Sequence, residues 1–169
     1  MNPWALRCLE RAERPSDEPV PCILLENLTR QFAHPCCLDI KMGTRQHALD
    51  ASIRKRERAM AKCNDTTSSA LGLRVCGLQV YDPVQGVYKC QDKYAGRALT
   101  PEQVPQTLEQ FFVLNCGSLD SPRCQHVLAA LIAKLERLET AVESLVGYRF
   151  IASSLLLLYD GSPSSVPPK

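Results

Sequence analysis

His34-Pro-Cys-Cys-Leu-Asp-Ile-Lys-Met-Gly-Thr-Arg-Gln-His47 is the stretch on which the reading of the chain turns. Side chains alternate between the two faces of a strand, so Asp39 and Lys41 would share one face. Leu38 and Ile40 would occupy the other, Cys37 adds further apolar surface, and Gly43 breaks the run. Two ionised groups in so apolar a strand are expensive unless they are paired or put to use. The spacing therefore allows two readings, a structural ion pair beside a turn or a functional site.

Downstream, Asp50 to Lys62 reads as a helix with Asp50 or Ser52 at its N-cap. Lys55, Arg58 and Lys62 fall on one helical face, with Arg54 beside them. A charge run of this kind is ordinarily a solvated face. Asn64 to Ser69 is polar and loop-like. Leu73 to Tyr81 and Gly86 to Tyr94 alternate as two strands, joined by the turn Asp82-Pro-Val-Gln-Gly86. Thr100-Pro101-Glu102 starts a helix that runs to about Leu114, with Pro105 a place for a kink. Cys116 to Pro122 is a loop. Leu128, Leu131, Leu135, Leu138, Val142 and Leu145 then alternate steps of three and four, too few heptads for a sustained coiled coil, and predict a core-facing helix. Arg149 to Tyr159 is a strand with a polar start at Ser153-Ser154 and an apolar end.

Upstream, Val20 to Leu25 reads as a buried strand closing on Glu26-Asn27-Leu28, and Trp4 and Leu6 are expected to anchor the N-terminal end. The expected organisation is a segment over 1–19, a folded core over 20–161 and a tail over 162–169 that is disordered by composition. A chain of 169 residues suits one domain. The net charge of +2 implies no broad affinity for nucleic acid or membrane, so an anion site must be local. Nine cysteines without a C-x-x-C spacing, and three histidines that form no cluster with them, predict reduced, mostly buried thiols rather than disulfides or a zinc site. There is no run of about 18 apolar residues and no signal-peptide pattern at the start, so a soluble cytoplasmic or nuclear protein is expected.

Pro35, Asp39, Lys41 and Gly43 spell P-x-x-x-D-x-K-x-G, and in this the chain resembles the inositol polyphosphate kinases. Leu24-Leu-Glu-Asn27, Lys41-Met-Gly-Thr-Arg-Gln-His47, Leu73-Arg-Val-Cys-Gly77 with Gln79-Val-Tyr81, and Ser153-Ser-Leu-Leu156 with Tyr159-Asp-Gly161 are similar to the hexakisphosphate kinase branch, in that family's order. The resemblance implies an α+β fold of the inositol polyphosphate kinase type, related to protein kinases and ATP-grasp proteins, and mostly its larger lobe. It implies transfer of the ATP γ-phosphate to inositol hexakisphosphate, with ATP and Mg²⁺ as cofactors and an inositol phosphate as partner. The alternatives are a trisphosphate 3-kinase or multikinase acting on less phosphorylated inositols, and a non-catalytic inositol-phosphate-binding fragment.

By the same resemblance Glu26, Asn27 and Leu28 form the adenine hinge, and Asp39 lies on the nucleotide side of the cleft. Asp39, Lys41, Ser153 and Ser154 line the active centre. Pro35, Lys41, Gly43, Arg54, Lys55, Arg58, Lys62 and Lys93 serve the acceptor, Lys93 within a segment similar to the family's D-K-Y-x-G-R. The family's ATP-gripping lysine upstream of the hinge and its metal-holding I-D-F aspartate have no counterpart here, so no metal ligand is assigned and a member truncated at both ends is expected. His47-Ala-Leu-Asp50 and Phe111-Phe-Val-Leu114 depart from the family pattern.

Overall fold

The structure, a computed structural model, describes residues 23–163. The chain divides into two compact units, Met1–Gln31 and Phe32–Lys169. In the first unit, residues 23–27 are irregular instead of forming the end of a strand. Ile23, Leu24 and Leu25 are exposed. Residues 20–22, the Trp4–Leu6 anchor and most of the expected tail lie outside the described residues.

The second unit is built on a four-stranded antiparallel sheet of order β3-β2-β1-β4. The motif strand is β1, Pro35–Met42, and it lies inside the sheet between β2, Leu73–Asp82, and β4, Ser154–Asp160. β3, Val87–Gln91, forms one edge. The expected alternation holds: Cys36, Leu38 and Ile40 are buried, while Cys37, Asp39 and Lys41 are half-buried on the opposite face. A bulge interrupts the β1–β2 ladder, where Asp39 faces Gly77 but Ile40 faces Val75. The extra residue, Cys76, shifts the parity, so Val75 and Val80 both reach the core although they lie an odd number of positions apart.

Helices follow in the order α1 Ile53–Asn64, α2 Ser68–Leu71, α3 Lys93–Ala98, α4 Gln103–Cys116 and α5 Pro122–Ser144. Phe111 and Phe112 of α4 and Cys124 of α5 complete the core with Tyr159, whose hydroxyl donates to the Phe111 carbonyl at 2.8 Å. Burial pushes the Tyr159 phenol far up, with the Cys36 thiol beside it adding to the shift. α4 starts later than expected, because Thr100 opens a turn whose N–H takes the Gln103 side chain. Pro105 is its third residue, where the missing N–H has no intrahelical partner to lose.

Two expectations need correction. The second hairpin strand ends at Gln91, because the Asp92 carboxylate accepts the N–H groups of Tyr94 and Ala95 and starts α3 instead. α5 faces the core only through its first half. Val127, Leu128 and Leu131 pack against the core, but Leu138, Val142 and Leu145 stay exposed. The periodicity reports which stripe of a helix is apolar, not how far the neighbouring elements extend beneath it. The seven described cysteines are free thiols, three of them buried and one exposed. No helix of the described residues is long and apolar enough to cross a membrane.

Asp160 ties the two ends of the core ladder together. Its carboxylate accepts the N–H groups of Ala33, His34 and Ser162 at 3.2, 3.0 and 3.0 Å. Partial burial pulls its pKa up, but these hydrogen bonds outweigh it and hold the carboxyl below the ordinary range. A depressed folded pKa gives stability that is complete above the unfolded value near 3.9 and is lost as pH falls through the folded one. Asp160→Asn is therefore expected to cost about 1–3 kcal/mol at neutral pH. The difference between urea titrations of the two proteins should shrink as pH falls below about 3.9, and a difference that stays constant down to full protonation of the carboxyl would refute the assignment.

Candidate functional site

The face of β1 turned away from the core carries Asp39 and Lys41. Across the ladder from Lys41 stand Arg74 of β2 and Ser154 of β4, and Leu156 stands across from Asp39. Asp39 and Lys41 are not joined as an ion pair. The Lys41 Nζ donates to the Ala152 carbonyl at 2.8 Å, and the Asp39 Oδ1 is buried with no hydrogen-bond partner. An unsatisfied buried carboxylate oxygen carries a desolvation cost and calls for a donor or cation from outside the chain. Of the two sequence readings, this excludes the self-contained pair.

The loop after β1 is fixed by its backbone. Gly43 takes a left-handed φ of 81° and donates its N–H to the Gly72 carbonyl at 2.7 Å, a turn that a side chain would strain. Gln46 reaches back to the Gly43 carbonyl and to the Ser68 hydroxyl. Ser153 lends its carbonyl to the Met42 N–H, and Ser154 pairs with Lys41. Pro35 begins the strand at the far end, roughly 20 Å from Lys41 at about 3.3 Å per residue. Its carbonyl accepts the Gln79 side chain, so Pro35 frames the strand and does not join Lys41.

α1 begins at a Ser52 cap, whose hydroxyl accepts the Lys55 N–H, and contributes a row of cations. Arg54, Lys55, Arg58 and Lys62 are all exposed. Lys62 stands in the last turn. Exposed as it is, slight desolvation and the charges of Arg97, Arg74 and Lys93 hold its ammonium below the ordinary lysine range. Arg58 and Lys55 stand about one and two turns back along the helix.

α3 supplies further cations. Lys93 and Arg97 lie over the Tyr94 ring at 5.3 and 5.5 Å from its centroid. Arg74 of β2 is 4% exposed, with Nη1 donating to the Ser68 hydroxyl at 2.9 Å and Nε without a partner. No acid neutralises it among the described residues.

Lys62, Arg74, Lys93 and Arg97 thus bring cations of α1, β2 and α3 within electrostatic reach of one another, a positive field suited to a densely charged anion. Lys62 and Lys93 were predicted from the sequence; Arg74 and Arg97 were not. Arg74 hides in an apolar strand pattern, and its position opposite Lys41 depends on a register that one-residue spacing cannot give. Glu26, Asn27 and Leu28 belong to the other unit. There the Asn27 side chain accepts the N–H and hydroxyl of Thr29 and closes a turn. Among the described residues, no three His, Cys, Asp or Glu side chains group as a metal site.

Residues 22–168 match the family model for inositol polyphosphate kinase. The chain is 42% identical to inositol hexakisphosphate kinase 3 of Mus musculus, over 96% of its own length and 41% of that relative's. It is 44% identical to inositol hexakisphosphate kinase 1 of Homo sapiens, over 95% of its own length and 36% of that relative's. The chain therefore spans about two fifths of the curated relatives it matches. Among solved structures it resembles the inositol phosphate multikinase of S. cerevisiae in complex with ADP and Mn²⁺, with a TM-score of 0.68 and 31% identity. That match covers 82% of this chain and 59% of the other. The α+β architecture expected from the sequence is the one these proteins share.

Proposed function

The chain belongs to the inositol polyphosphate kinase family, and from that membership we propose that it serves transfer of the ATP γ-phosphate to inositol hexakisphosphate, giving a diphosphoinositol phosphate. The observation that carries the proposal is Arg74, buried without an acid beside it among the described residues and directly across the ladder from Lys41, with the charges of Arg97 and Lys93 near Lys62 in support. The identity to hexakisphosphate kinases supports this choice of acceptor.

An inositol with every hydroxyl phosphorylated offers only phosphate oxygens as nucleophiles. One of these would bond to the γ-phosphorus as the bond to ADP breaks, so the product is a pyrophosphate. A phosphate oxygen is already anionic at neutral pH and needs no general base. The task left to the protein is to hold two polyanions in line and neutralise the charge between them. Lys41 is placed to do this on the transferred group, and the cations of α1, β2 and α3 do it on the acceptor. The unsatisfied Oδ1 of Asp39 fits a donor from the nucleotide side. Mg²⁺, held chiefly by the nucleotide phosphates, would supply further charge neutralisation when bound.

The test is ³¹P NMR of the purified chain with ATP, Mg²⁺ and inositol hexakisphosphate. Diphosphate resonances rising together with ADP are expected. A folded chain that forms neither would remove the transfer step from the proposal.

A further inference from the structure

The backbone adopts a left-handed conformation at one described residue that is not glycine. Ala152 has φ 55°, two residues before the start of β4. A side chain pays for that conformation, and the surrounding structure must over-determine it. What it achieves is visible in the bonds on either side. The Ser153 carbonyl accepts the Met42 N–H at 3.0 Å, and the Ala152 carbonyl accepts the Lys41 Nζ at 2.8 Å. Consecutive carbonyls of an extended strand point to opposite neighbours. Here two in succession serve β1, one as a rung of the ladder and one as an anchor for a side chain.

We propose that Ala152 is the positioning residue for Lys41: its left-handed backbone presents a carbonyl that holds the Lys41 ammonium in place, leaving two of the three N–H donors for phosphate oxygens. Lysine is otherwise a flexible point charge on a four-carbon stem. Fixing its head before substrate arrives removes a rotamer cost from the bound state. The proposal rests on the phosphate-handling role given to Lys41 above, but the anchor itself is a property of the free protein.

The experiment uses the whole chain labelled with ¹⁵N-lysine, with the Lys41 ammonium assigned through Lys41→Arg. Proton exchange of that ammonium with water is measured in the wild type, Ala152→Gly, Ala152→Val and Ala152→Pro. Glycine accepts the left-handed conformation freely, so Ala152→Gly should keep the ammonium protected. Valine resists it, and proline, locked near φ −65°, forbids it. Both should speed exchange about tenfold or more while the other lysine signals stay in place. Affinity for inositol hexakisphosphate should fall several-fold in those two variants and hold in Ala152→Gly.

A Lys41 ammonium already unprotected in the wild type, or equally protected in folded Ala152→Val, would overturn the proposal. Should Ala152→Pro fail to fold, the valine variant decides. A wild type that shows the anchor but binds no inositol hexakisphosphate would leave the anchor standing and remove the acceptor assignment.

Discussion

Lys41→Ala is expected to reduce phosphoryl transfer to inositol hexakisphosphate by about 10²–10³-fold, the scale seen when one preorganised donor to a developing charge is lost. The fold should survive the change, because Lys41 is half-buried on the face of β1 turned away from the core and, among the described residues, its side chain makes one hydrogen bond, to the Ala152 carbonyl. Unfolding midpoints should therefore match within about 0.5 kcal/mol, the usual range for surface substitutions. Turnover that persists in Lys41→Ala within tenfold of wild type would remove Lys41 from the centre.

The second large effect is structural and reaches the site through α3. A methyl at Gly96 would overlap the Val75 carbonyl oxygen and lie 2.9 Å from its carbon, so the obstacle is the backbone of β2 itself. Overpacking ordinarily costs about 1–3 kcal/mol, and here no flexible side chain can yield, so Gly96→Ala is placed at or above the top of that range. The helix must lift from the sheet to relieve the overlap, carrying Lys93 and Arg97 away from Lys62 and Arg74. Gly96→Ala should thus lose both stability and acceptor affinity. A variant with wild-type denaturation and wild-type binding would show that α3 does not sit as described.

How much of this was legible beforehand varied with the length scale of the signal. Strand β1, its two-faced pattern and the break at Gly43 were plain, since the period of two and a glycine are local features. The Ser52 cap and the hairpin turn at Asp82 to Gly86 were legible for the same reason. α3 was hidden because Asp92 follows an alternating run, and only the capping of Tyr94 and Ala95 separates a helix start from a continued strand. Arg74 was hidden more deeply. Its burial depends on the bulge at Cys76 and on pairing with a strand more than thirty residues away in the chain. The basic row on α1 is a helix face in the sequence and in the structure, but the nearness of Lys62 to the charges of Arg74, Lys93 and Arg97 is not a local feature. It comes from how α1 packs against α2, a tertiary fact. The exposed second half of α5 illustrates the reverse case, a clear periodic signal whose partner does not extend along it.

In the proposed function, Lys62, Lys93 and Arg97 act together with Arg74 as one acceptor site. Calorimetric titration with inositol hexakisphosphate tests it most directly, for the wild type and for each of Lys62→Ala, Lys93→Ala and Arg97→Ala, against Lys55→Ala. The account predicts binding that weakens about tenfold in each of the first three, in keeping with roughly 1.4 kcal/mol per lost charge-assisted contact, and that falls with added salt. Lys55→Ala should change it little. Equal losses at all four positions, or no loss at any, would contradict the single site and leave only a diffuse positive surface.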